Sequence, residues 1–127
     1  MNRREFIEAI YKTVFQGSAH SYMHVLDSAP PGRKPQLERV RLHEWYQNLS
    51  SRDQDLARLL VQEVAGSTTY AFLLVLDHKL AIENTEDKGT LELWYRGPDG
   101  TRVWLNEMQP EDFPYLFKEI RDTEGMS

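Results

Sequence analysis

Leu91-Glu92-Leu93-Trp94-Tyr95-Arg96-Gly97-Pro98-Asp99-Gly100-Thr101-Arg102-Val103-Trp104-Leu105-Asn106 is the stretch whose reading decides the fold. Leu91, Leu93 and Tyr95 alternate with Glu92, Trp94 and Arg96. Val103 and Leu105 alternate with Arg102, Trp104 and Asn106. A period of two is the mark of a strand with one buried side. Between the two runs, Pro98 presets the backbone angle of a type I turn, and Gly100 can take the left-handed position that closes it. A three-residue loop of Pro98, Asp99 and Gly100 sets Gly97 opposite Thr101. Counting back, Arg96 faces Arg102, Tyr95 faces Val103, Trp94 faces Trp104 and Leu93 faces Leu105. The aliphatic side is then core, and the other side carries two tryptophans beside two arginines, with Glu92 close by.

Facing like charges cost stability, and an arginine over a tryptophan ring recovers part of that cost. Such a face can simply cover the sheet, its arginines reaching out to solvent. Trp and Arg are also the residue types that dominate binding hot spots, and paired arginines can hold an anion. Trp94, Trp104, Arg96, Arg102 and Glu92 are therefore the candidate binding residues.

Upstream of the hairpin lies Thr68-Thr69-Tyr70-Ala71-Phe72-Leu73-Leu74-Val75-Leu76, almost wholly apolar and rich in β-branched and aromatic residues. It reads as a buried strand covered on both sides. The alternative is a buried helix running through Leu80 to Ile82, because a continuous apolar run has no period to settle the matter. In the strand reading Asp77-His78 turns into a second strand, Lys79 to Glu83, and Asn84 to Gly89 is a polar loop.

Further out the period is helical. Phe6, Ile7, Ile10, Tyr11, Val14 and Phe15 form one stripe over about Arg3 to Gln16, with Gly17 as its expected stop. Ser18 to Asp27 is short and ambiguous. Ala29-Pro30-Pro31-Gly32-Arg33-Lys34-Pro35 breaks the chain into a loop. Leu42, Trp45, Tyr46 and Leu49 mark a second helix, and Ser50 caps a third whose stripe of Leu56, Leu59, Leu60 and Val64 ends at Gly66. A last helix follows Pro110, Asp112 and Pro114, with Phe113, Leu116, Phe117 and Ile120 as its core stripe and a frayed end from Asp122. The expected architecture is α+β: N-terminal helices, an antiparallel β-meander of about four strands, and a C-terminal helix, all in one domain over residues 1–127.

Composition narrows the chemistry. The 127 residues contain no cysteine, which excludes disulfides, thiolate metal sites and a cysteine nucleophile. Fifteen Lys and Arg against twenty Asp and Glu give a net charge of −5. Residues 1–63 are near balance, and most of the acidic excess falls in residues 64–127. The few basic residues that cluster, Arg33-Lys34 and Arg39 with Arg41, are too sparse for a nucleic-acid partner. No run approaches the eighteen or so apolar residues of a membrane span, and no membrane partner is expected. The start, Met1 to Phe6, is amphipathic, with Glu5 and Glu8, and unlike a signal peptide. A cytoplasmic protein is expected.

Catalytic signatures are sparse. His20 and His24 stand one helical turn apart, a spacing that suits a metal, with His43, Glu44 or Asp27 as further ligands. However, Ser21 stands where the metalloprotease pattern requires Glu. No nucleophile elbow, phosphate loop or dinucleotide fingerprint occurs, and no cofactor is implied. Phe72-Leu73-Leu74-Val75-Leu76-Asp77, Gly89-Thr90-Leu91-Glu92-Leu93-Trp94-Tyr95 and Arg102-Val103-Trp104-Leu105-Asn106 resemble small uncharacterised bacterial domain families over about residues 40–120. That resemblance implies no activity and no residue's role. Toxin-neutralising immunity proteins are similar in size and charge alone. The expected function is a non-enzymatic interaction module binding a protein partner or a second copy through the Arg/Trp face. The alternative is a ligand- or metal-binding protein, or an enzyme, with a histidine-lined pocket between helices and sheet, using His20, His24 and His43.

Overall fold

A computed structural model describes residues 1–125. Helix α1 spans Arg3–Ile10 and passes through a π-helical turn, Tyr11–Gln16, into α2, Gly17–Asp27. Then come α3 (Leu37–Gln47), α4 (Ser51–Leu76), strand β1 (Trp94–Arg96), strand β2 (Arg102–Trp104) and α5 (Phe113–Gly125). The mixture of helix and sheet is as expected. The sheet is not: among the described residues it has two strands, in a single antiparallel hairpin, rather than four. The chain divides into two compact units, residues 1–14 with the chain from Thr68 onward, and Phe15–Ser67.

The first missing strand was absorbed by α4, and the second is loop. The helix does not stop at Gly66 but runs on to Leu76, so Thr68–Leu76 is helical and Lys79–Glu83 is loop. A mid-helix glycine costs only about 1 kcal/mol relative to alanine, too little to end a helix flanked by good helix formers on both sides. The true stop has no glycine. The Lys79 amide donates to the Leu74 carbonyl (2.8 Å) and the His78 amide to that of Val75 (3.2 Å). This is the paired pattern of a Schellman cap, with His78 in the left-handed position at φ 63°. Ser50 caps the helix start as expected, its hydroxyl accepting from the Asp53 amide at 3.2 Å. By length and composition α4 could cross a membrane, and most of its apolar stretch is exposed. The sequence hides this because Gln62, Glu63 and Ser67–Thr69 interrupt the run.

Gly17 likewise fails to stop a helix; it opens α2. The buried positions there, Ile7, Tyr11, Phe15, Ala19 and Met23, recur at every fourth residue. A row at strict four-residue steps drifts around an α-helix, and the wider π turn takes up part of that drift. Val14, counted in the expected stripe, is exposed. Asn2 caps α1 in a reciprocal capping box with Glu5.

In the first unit the core joins α1 and α5. Ile7, Tyr11, Leu73, Leu105, Phe113, Leu116, Phe117 and Ile120 are buried, as the expected stripe of α5 requires. Phe6 and Phe113 meet at 5.3 Å, and Tyr11 and Phe117 at 5.9 Å. Asp77, which ends α4, accepts from the Phe113 amide at the start of α5 and pairs with Arg3 at 3.9 Å. The Arg3 guanidinium also donates to the Glu107 carbonyl and lies over the Phe113 ring. Burial pushes the Asp77 carboxyl above its ordinary value, against the Phe113 amide and Arg3, which both favour its charge. At its other end α5 stays helical from Asp122 to Gly125 where fraying was expected; Met126 and Ser127 lie outside the described residues.

The second unit packs α2, α3 and residues 51–67 of α4 around Leu26, Tyr46 and Ala57, with Leu49 and Val61 against them. The free carbonyl of Leu26, near the end of α2, accepts from His43 Nδ1 (2.8 Å) and Gln47 Nε2 (3.1 Å), one turn apart on α3. Arg58 forks onto both carboxylate oxygens of Asp27, at 3.1 and 3.0 Å.

Candidate functional site

The site is built on the hairpin, and the hairpin follows from its turn. The Gly100 amide donates to the Gly97 carbonyl (3.0 Å), and the Gly97 amide to the Thr101 carbonyl (2.8 Å). Gly100 has φ 88°, a left-handed conformation that only glycine adopts at little cost. Asp99 accepts from the Thr101 amide and hydroxyl, which holds its carboxyl below the ordinary range. The resulting register pairs Trp94 with Trp104, Tyr95 with Val103 and Arg96 with Arg102, as the three-residue loop dictates.

One side of this ribbon is a graded surface. Arg96 and Arg102 are exposed, Trp94 is 42% exposed, and Trp104 is half-buried. The indoles stack at 5.6 Å with 17° between their planes, and the Arg102 guanidinium lies 4.7 Å above the Trp94 ring. One row further on, Asn106 is 0% exposed. Its Oδ1 accepts from the Leu93 amide and Trp104 Nε1, both at 2.8 Å. Its Nδ2 donates to the carbonyls of Leu76 and Leu91, both at 2.7 Å. Every hydrogen-bonding capacity of that amide is thus used, and the hairpin is tied to the end of α4. In the sequence Asn106 was one more polar residue on the outward side. The side turns inward at its row, and nothing in the alternation signals that.

Beside this row opens a cleft of about 680 Å³ whose wall includes Trp104, Glu92, Asn106 and His78. Val75, Leu80, Ile82, Leu91 and Met108 make it largely apolar, and Lys88 is among its lining residues. Glu83, another lining residue, is spent on the Gly89 amide at 2.9 Å. The loop residues that form the cleft carry no periodic pattern, so sequence reasoning missed it. Trp104 belongs to both features: one ring stacks in the pair and walls the cleft.

The other candidates lie elsewhere. His20 and His24 are exposed on α2, while His43 gives its Nδ1 hydrogen to Leu26, since a carbonyl can only accept. Among the described residues no three His, Cys, Asp or Glu side chains converge as a metal would require. His78 lines the cleft beside Trp104. A second exposed apolar stripe, Leu56, Leu59, Leu60 and Val64, runs along α4. No family model matches the chain, and comparison with curated proteins and with solved structures found no match.

Proposed function

We propose that this chain is a non-enzymatic, cytoplasmic interaction module that binds a protein partner, or a second copy of itself, through the hairpin face of Trp94, Trp104, Arg96 and Arg102. One observation carries the reading: a stacked indole pair, with Trp94 exposed and Trp104 half-buried, lies beside two facing, exposed arginines that form no ion pair among the described residues. An exposed, rigid aromatic platform bordered by guanidinium groups is the composition of a binding hot spot. Glu92 lies at the border of that platform and adds a single negative charge.

The test places a photo-crosslinking phenylalanine analogue at position 94 and, as a control, at the exposed Tyr115 on α5. Crosslinks specific to position 94, lost when Arg96→Ala and Arg102→Ala are added, support the module. Equal crosslinking from both positions, or indifference to the arginines, overturns it. Sedimentation of the purified chain tells a second copy from a different partner. The cleft favours a second reading, a small apolar ligand held against Trp104. A rise in melting temperature with an apolar fragment, abolished by Leu91→Asp, would support that reading instead.

A further inference from the structure

The same face also carries information about what would lie on it. The register runs from the Arg96/Arg102 row to the Trp94/Trp104 row; the Leu105 amide, donating to the Leu93 carbonyl, continues it past the strand ends, so Glu92 and Asn106 follow next, and both line the apolar cleft. Rows on one side of a strand are about 7 Å apart, so the arginines stand roughly 13 Å from the part of the cleft at Glu92 and Asn106. Some of the chain's other cations are matched by its own carboxylates: Arg3 by Asp77, Arg4 by Glu8 and Glu119, Arg58 by Asp27, and Lys79 by Asp112. Arg96 and Arg102 face each other with no such partner among the described residues, in a chain of net charge −5. An anion beside this row would relieve their repulsion and can accept from both long side chains.

The backbone of β1 adds a second constraint. Gly97 and Leu93 direct their bonds toward β2, which turns the amides and carbonyls of Trp94 and Arg96 to the opposite edge. Among the described elements β1 packs against β2 alone. An edge of this kind accepts an added strand, whose side chains on the Trp side would fall into the same rows.

We infer that the module takes an extended peptide segment of its partner along the β1 edge, with a carboxylate side chain at the Arg96/Arg102 row and an apolar side chain four residues away in the cleft beside Trp104. The inference rests on the reading of this face as a partner-binding surface. The count of four follows from about 13 Å at roughly 3.3 Å per extended residue. Even spacing keeps both side chains on one side of the added strand, and odd spacing sends one of them away.

Synthetic octapeptides in a threonine-valine background test this by fluorescence anisotropy. The lead peptide carries one glutamate and, four residues later, one phenylalanine. It should bind about tenfold more tightly than the version with glutamine for glutamate. A spacing of three should lose as much, and high salt should remove the glutamate preference. Arg96→Glu with Arg102→Glu should invert the preference toward a lysine peptide, and Arg96→Gln with Arg102→Gln should abolish it. Both pairs of substitutions are at exposed positions, and circular dichroism checks that the hairpin remains folded. Equal binding of glutamate and glutamine peptides, indifference to spacing, or displacement of the lead peptide by a lower concentration of a ten-nucleotide oligothymidine overturns the inference. If such results accompany position-94 crosslinks that depend on the arginines, the module stands and only its peptide chemistry falls. If those crosslinks are absent too, both fall.

Discussion

Residues 68–83 and residues 91–106 look alike in composition, yet one became the end of a long helix and the other the hairpin. Both are rich in aromatic and branched residues. The difference lies in what competes with the local pattern. In the hairpin Leu91, Leu93, Tyr95, Val103 and Leu105 alternate with Glu92, Trp94, Arg96, Arg102, Trp104 and Asn106, and Pro98, Asp99 and Gly100 specify the turn; every local signal points the same way. In Thr68–Leu76 polar residues are too few to show a period, so the element's type is set by what precedes it. A helix already running from Ser51 is extended at a gain of one hydrogen bond per residue, without a new nucleus.

The contrast can be broken or sharpened by substitution. The largest effect is expected at the joint between the two regions. Asn106→Ala leaves Trp104 Nε1, the Leu93 amide and the carbonyls of Leu76 and Leu91 without their partner. A loss of about 4 kcal/mol in urea unfolding is expected, at about 1–3 kcal/mol for each group left buried and unpaired. A loss under 1 kcal/mol would mean that the hairpin does not depend on this side chain.

Next comes Thr68→Pro, at an exposed position in the middle of α4. A helix interior loses about 3 kcal/mol, whereas a turn followed by a strand would tolerate the ring. The unfolding midpoint of this one variant therefore decides between the observed helix and the strand that the residues suggest. In the hairpin the matching probe is Gly100→Ala. Nothing lies within 4 Å of the added methyl, so its cost is backbone strain alone, about 1 kcal/mol. An unchanged midpoint would show that the turn is not left-handed at that residue.

The smallest effects are those of pH, and the two regions pull in opposite directions. Burial raises the Asp77 carboxyl at the end of α4, so the folded chain binds that proton more readily than the unfolded chain. Its stabilising contribution is complete below the ordinary value of 3.8 and fades as pH rises through the raised value. Asp99 in the turn is lowered by the Thr101 hydrogen bonds. Its contribution is present above 3.8 and fades as pH falls through the lowered value. Unfolding from pH 2 to 7 should show Asp77→Asn steepening the rise of stability with pH and Asp99→Asn flattening it. The same sign of change in both variants would contradict these assignments.

How much was legible follows from the same contrast. Register, turn and the Trp94, Trp104, Arg96 and Arg102 face were readable because loop length and a period of two fix them without help from elsewhere. The α5 stripe was readable from Phe113, Leu116, Phe117 and Ile120. The end of α4 was not, because Gly66 carries the usual stop residue where none is needed and His78 makes the stop without it. The cleft was not, because Leu80, Ile82 and Leu91 gain their meaning only when the loop is folded back on Trp104. Asn106 was not, because burial of a polar side chain depends on partners distant in the chain.

The stacked indoles also make the protein its own optical gauge. Two chromophores 5.6 Å apart and nearly parallel share their electronic excitation. Their joint ultraviolet signature disappears when the rings part, even while the helical signal stays whole. Opening of the ribbon, or a guest prising Trp94 from Trp104, can thus be timed in solution with no label attached.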